Sequence, residues 1–171
     1  MNARDISREV LTSMLASDEN AVWIIQAWQG NPTTALLNGL DDVQNGAQHA
    51  LVLDLYAEKT PHNQETGSSY GDTKEFDDTP WLYCMLNNFG GRLGLHGHLD
   101  NMAKNIPVAF NNGAHIAGIG ITPEASVNNP VLYDFLFETI WQDDATQPLT
   151  EIDLDTWLDD YAQRRYGAES A

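Results

Sequence analysis

Four short apolar runs punctuate the chain: Ala21–Trp28, Ala50–Tyr56, Trp81–Leu86 and His115–Ile121. Each is nearly continuous in hydrophobicity, without strict apolar–polar alternation. That is the pattern of strands buried on both faces of a parallel sheet. Between and after them the period changes to that of helices. Ile6–Ala16 places Val10, Leu11, Met14 and Leu15 at helical spacing, and Leu36, Leu37, Leu40 and Val43 form a weaker stripe. A third helix is expected over Gly94–Asn105. A fourth over Asn129–Trp141 has Pro130 in its first turn and an apolar face of Val131, Leu132, Phe135, Leu136, Thr139 and Ile140. The last, Leu154–Tyr166, carries Leu154, Trp157, Leu158 and Tyr161 on one side, with Gly167 as its stop. Trp23 and Trp141 read as core residues, and the acids of Leu154–Asp160 as a solvated helix face. The segment Glu58–Pro80 reads as a long polar loop.

This βα rhythm predicts an α/β protein with parallel strands, either doubly wound or a (β/α)8 barrel. The phosphate-binding signals of the first are weak, since Gly90-Gly-Arg-Leu-Gly94 matches a dinucleotide fingerprint only in part. A complete barrel takes about 250 residues. The chain has 171, so the expectation is a partial barrel of four βα units forming a single domain.

Charge narrows the range of partners. The net charge is -17, from 25 acids and 8 bases, which argues against nucleic acid or an anionic membrane surface as partner. No apolar run approaches the roughly 18 residues of a membrane span, and the first residues lack the apolar core of a signal peptide. With one cysteine, Cys84, no internal disulfide can form. Cys84 sits in an apolar strand without a nearby base and reads as buried and inert.

The C-terminal ends of barrel strands carry the chemistry. Here those ends hold Gln26 and Trp28, then Asp54, Tyr56 and Glu58, then Asn88, then Glu124. Carboxylates, amides and aromatics build sugar sites: rings stack on pyranose faces, amides bond hydroxyls, and a carboxyl pair runs glycosidic chemistry. Glu124, following a glycine-rich strand and Pro123, is the sharpest catalytic candidate, with a helix cap or surface glutamate as the alternative. Asp54 and Glu58 read as supporting acids or as structural strand-end carboxylates. Trp28 and Tyr56 read as sugar platforms or as core. His96 and His98 with Asp100 invite a metal reading, but capping or surface roles are commoner after a Gly-Gly turn, and no metal or other cofactor is expected.

Taken together, AVWIIQAW (21–28), LVLDLYAE (51–58), WLYCMLNNFGG (81–91), GIGITPE (118–124) and YAQRRYG (161–167) resemble the α-N-acetylglucosaminidases of glycoside hydrolase family 89. The resemblance covers nearly the whole chain from about Val10 onward. It implies a retaining exo-hydrolase that releases terminal α-linked N-acetylglucosamine from glycans, with Glu124 as nucleophile. Trp28 matches an aromatic residue of the sugar site, and Gln26, Tyr56 and Asn88 are implied site lining. Relatives of full length are expected to be secreted or lysosomal. The family's proton donor, a glutamate in an Asn-Glu pair, has no counterpart near the N-terminus. The chain is therefore expected to be a fragment, inactive alone, with the donor upstream of Met1 and a helical domain after Gly167. Its sheet edges are expected to drive self-association or pairing with an N-terminal half-barrel. A non-catalytic sugar-binding or assembly module is the alternative.

Overall fold

In the computed structural model, residues 2–28, 31–59, 76–92, 97–112, 115–141 and 148–167 are described. All four expected strands form: β1 (Trp23–Ala27), β2 (Ala50–Asp54), β3 (Trp81–Met85) and β4 (Ile116–Ile121). They make one parallel sheet in the order β1-β2-β3-β4. A doubly wound sheet reverses its strand order at a switch point, whereas a barrel adds each strand beside the last. The unreversed order is that of a barrel segment.

Five α-helices accompany the sheet among the described residues. α1 (Ala3–Ser17) opens on Asn2, whose side chain accepts from Asp5 N. α2 (Thr34–Asp41) is capped by Thr33, which accepts from Leu36 N. α4 (Pro130–Thr139) and α5 (Leu154–Tyr166) start at Asn129 and Asp153, each capping through its side chain. These caps satisfy amides that the first helical turn leaves without partners. Gly167 ends α5 at φ 70°, the left-handed conformation that glycine adopts without strain.

α3 (Leu99–Asn112) departs from expectation. It begins and ends later than the Gly94–Asn105 span and runs through Pro107. A proline inside a helix costs a hydrogen bond, but Met102, Ala103, Ile106 and Ala109 are buried around it, and that packing outweighs the local penalty. Gly94 and His96 lie outside the described residues, as do positions 60–75 of the expected loop. Trp141 is a second correction: it is 80% exposed, because α4 ends at Thr139 and leaves the indole beyond the packed face. Trp23 does pack against the core.

One face of the sheet builds the core. Ile25, Val52, Trp81, Tyr83 and Met85 meet Leu11, Leu37 and Leu40 from the first two helices. Met102, Ile106, Leu132, Phe135 and Leu136 join from α3 and α4. Trp157 brings α5 in, edge-on to Phe135 with centroids 4.9 Å apart and its indole N–H donating to Glu138 Oε2 at 2.8 Å. The alternate residues face the side that is the lumen of a closed barrel. There Leu51, Leu53 and Leu82 are half-buried and Ile24 is exposed. Burial on both faces is thus complete only in β3, Leu82 apart.

The register with β3 slips once, between Trp81 and Leu82, which sets Gly118 beside Leu82 and Gly120 beside Cys84. A Cβ on Gly120 would stand 2.9 Å from Cys84 Sγ, so this glycine lets the two strands share the lumen side. A tighter contact joins α1 to α2. A Cβ on Gly39 would lie 1.9 Å from Ser7 Oγ and 2.3 Å from the Arg4 carbonyl, while Ser7 Oγ donates to Leu36 O at 2.8 Å. Gly39→Ala must force the helices apart. We expect a loss of about 1–3 kcal/mol, read as a lowered urea midpoint at unchanged slope; an unchanged midpoint would contradict this packing.

Candidate active site

A cavity of about 340 Å³ opens at the C-terminal ends of the strands. Its wall follows from strand parity. Gln26 and Trp28 from β1, Leu53 and Leu55 from β2, and Leu86 after β3 all lie on the lumen side. Thr122, Pro123 and Glu124 close it beyond β4. Among the described residues lining it, Glu124 is the one carboxylate. A second cavity of equal size, lined in part by Asp41, Asp78 and His115, lies at the opposite strand ends, where barrels do not place their chemistry.

Glu124 is exposed, but its backbone is held tightly. The side chain of Asn88, wholly buried, reaches across from the β3 exit. Its Oδ1 accepts from the N–H of Glu124 and of Ala125, each at 2.9 Å. Its Nδ2 donates to Ala125 O at 3.1 Å and Val127 O at 3.3 Å, and also to Asn128 Oδ1. Tyr133, on α4, adds a hydroxyl bond to that same Oδ1 at 2.6 Å. Thr122 completes the attachment. Its N–H donates to Met85 O at 2.9 Å and its hydroxyl to Leu55 O at 3.1 Å. Asn88 therefore stands behind the wall and spends both ends of its amide on the Glu124 loop. Asn128 and Tyr133 were not anticipated. No sequence pattern marks them, because their roles arise only when α4 folds back on the β3 exit.

Tyr56 also stands back from the wall. Its ring packs edge-on to Phe89 with centroids 4.8 Å apart and lies 6.2 Å from Trp28, which in turn lies 6.3 Å from Phe89. Trp28 is the member of this triad that reaches the cavity. Phe89 belongs to the Asn-Phe-Gly-Gly run but was not singled out.

The two further acids are buried away from the cavity. Asp54 pairs with Tyr83 and Ala27 across the ladder and so shares the helix-side face; it is 3% exposed. Glu58, 1% exposed, accepts from Leu86 N at 3.1 Å and Asn87 N at 2.8 Å through Oε1. Burial pushes its carboxyl up to about 7, against the opposing pull of these amides and Lys59. Neither acid is placed to protonate a leaving group in the cavity. Burial likewise pushes the Cys84 thiol up to about 12, which keeps it from acting as a nucleophile at neutral pH. His96 lies outside the described residues, and no group of three or more metal-ligating side chains occurs among those described. No described helix is long and apolar enough to cross a membrane.

A parallel barrel segment with an aromatic, an amide and a carboxylate at its strand ends has the framework and residue types from which barrel glycoside hydrolases build their sites, and comparison with known proteins gives the family. The model of the α-N-acetylglucosaminidase (NAGLU) TIM-barrel domain matches residues 1–143. The chain belongs to that family. It is 35% identical to the α-N-acetylglucosaminidase of Homo sapiens over 166 residues, 92% of this chain and 20% of that protein. It also matches the family 89 glycoside hydrolase of Clostridium perfringens. A form in complex with its substrate GlcNAc-α-1,4-galactose aligns at 38% identity and TM-score 0.81, covering 99% of this chain and 17% of that one. The complex with PUGNAc aligns at 37% identity and TM-score 0.79, covering 100% and 17%. The chain thus spans about a fifth of the length of these relatives.

Two predictions follow from this geometry. Asn88→Ala removes the acceptor of the part-buried amides of Glu124 and Ala125, a loss of roughly 1–3 kcal/mol, measured by urea unfolding; a loss under about 0.5 kcal/mol would show that the clamp is dispensable. The Glu58 carboxyl, raised in the folded chain from 4.5 to about 7, keeps a proton across that window that the unfolded chain has released. Its contribution to stability is therefore present at low pH and lost as pH rises from about 4.5 to about 7. The stability of Glu58→Gln relative to the native chain should rise across the same window, in urea midpoints taken at several pH values. Parallel curves would contradict the shift.

Proposed function

We propose that this chain carries the nucleophile side of a retaining α-N-acetylglucosaminidase site. The observation behind the reading is that Glu124 is the sole carboxylate among the described residues of a lumen-side cavity, on a backbone that Asn88 holds in place. In this reading the Glu124 carboxylate attacks the anomeric carbon as the bond to the leaving oxygen breaks. A glycosyl ester forms, and water then hydrolyses it with net retention. Trp28 offers a ring face to the sugar and Gln26 an amide to its hydroxyls. The substrate class is a glycan ending in α-linked N-acetylglucosamine, in keeping with the ligand of the Clostridium relative.

Retention needs a second carboxyl group about 5 Å from the first, to protonate the leaving oxygen. The described cavity wall holds none, so the donor belongs to polypeptide beyond the described residues. The exposed Ile24 and half-buried Leu51, Leu53 and Leu82 suit the same source: in a closed barrel this face meets strands across the lumen. We read the chain as working together with those further strands. A sugar-binding module without hydrolysis is the second reading, favoured by the same lack of a second carboxylate on the wall.

A leaving group that needs no proton separates the two. With an α-N-acetylglucosaminyl fluoride, the chain should form a glycosyl ester on the peptide containing Glu124, seen by mass spectrometry. Glu124→Gln should give none. An unactivated α-N-acetylglucosaminide should not turn over. Binding without any adduct would favour the sugar-binding module, and an adduct that persists in Glu124→Gln would overturn the assignment of Glu124.

A further inference from the structure

We propose that Glu58 is a positioning residue for Glu124, acting through the peptide that leaves β3 and the Asn88 clamp. The proposal rests on the reading of Glu124 as the nucleophile. Glu58 lies on the turn after β2, and that turn is tied to β3: Ala57 N donates to Cys84 O at 3.1 Å. Oε1 of Glu58 then receives two successive amides at the β3 exit, Leu86 N at 3.1 Å and Asn87 N at 2.8 Å. The next residue is Asn88, whose Oδ1 receives the amides of Glu124 and Ala125. One residue thus separates the carboxylate from the side chain that sets the Glu124 backbone.

The exit needs such an anchor. Asn87 sits at φ 58°, a left-handed conformation that asparagine tolerates better than most residues and that turns the chain out of the strand. β3 has ended at Met85, so no strand ladder holds the Leu86 and Asn87 amides. Both residues are buried, where an amide without an acceptor is costly. Glu58 supplies that acceptor from a neighbouring strand end. Its other oxygen, Oε2, is buried with no hydrogen-bond partner among the described residues, so its anchoring of the exit runs through Oε1. A carboxylate accepts two N–H groups at one oxygen more strongly than a neutral carboxyl does. Gain or loss of the Glu58 proton therefore changes the grip on the β3 exit. The titratable groups around it are Asp54, Tyr56 and Lys59 near its own turn, Tyr83 and Cys84 on β3, and Tyr133 on α4.

The test is a pH titration of the native chain followed by amide NMR, with Glu58→Gln, Glu58→Ala and Asp54→Asn. It reads structure and needs no turnover, so it stands whether or not Glu124 forms a glycosyl ester. In the native chain the backbone amides of Leu86, Asn87, Glu124 and Ala125 and the side-chain amide of Asn88 should share one inflection near pH 7. Glu58→Gln should abolish it at all five groups while the fold is kept, and Asp54→Asn should leave it in place. Glu58→Ala should move the Asn88 side-chain and Glu124 signals at every pH. If the inflection appears at Leu86 and Asn87 but not at Asn88, Glu124 and Ala125, Glu58 is a local anchor only and the proposal fails. It fails equally if the inflection survives Glu58→Gln. Should Glu58→Ala not fold, the Glu58→Gln titration decides alone.

Discussion

The site depends on one buried side chain, the amide of Asn88. A loop leaving a barrel strand has no ladder to fix it, and its polar backbone must find partners elsewhere. Asn88 meets that need with both ends of its amide, accepting from Glu124 and Ala125 and donating to Ala125, Val127 and Asn128. Among neutral side chains of this length only asparagine offers an acceptor and two donors together. Aspartate in its place would set a charged oxygen against the carbonyls of Ala125 and Val127. Glu124, the proposed nucleophile, is thus an exposed residue whose backbone is held in place.

Everything else brings that amide and that loop together. The parallel register sets the β3 exit beside the β4 exit, and Thr122 stitches the two to the end of β2. Gly118 and Gly120 let β4 pass close to Leu82 and Cys84. Strand alternation then sorts the strand-end residues. Gln26, Trp28, Leu53 and Leu55 turn to the lumen and form the cavity, while Asp54 turns to the helices. Two neighbouring positions, Leu53 and Asp54, thereby take opposite duties, one as wall and the other as a buried acid behind it.

Much of this was legible from the sequence. The four strands, the start of α4 and the stop of α5 follow from hydrophobic period, Pro130 and Gly167, which act locally. Trp28 and Glu124 were legible as strand-end residues, and both reach the cavity. Asn88 was marked out as site lining, but its partners lie 36 to 40 positions away, and no local pattern reveals what a side chain will meet across that span. Tyr56, Asn128, Tyr133 and Phe89 raise the same difficulty. α3 runs past its expected end at Asn105 because burial of Met102, Ile106 and Ala109 carries the helix through Pro107, a residue that opposes a helix locally. Trp141 departs in the opposite sense, as a large apolar residue that the fold leaves outside.

The central claim is that the lumen-side cavity beside Glu124 is where a sugar binds. Amide and indole shift mapping with N-acetylglucosamine tests it most directly. The account predicts that perturbations gather on Gln26, the Trp28 indole, Leu53, Leu55 and Glu124. Shifts centred instead on Asp78 and His115, around the cavity at the opposite strand ends, would contradict it, as would saturating sugar that moves no signal at all.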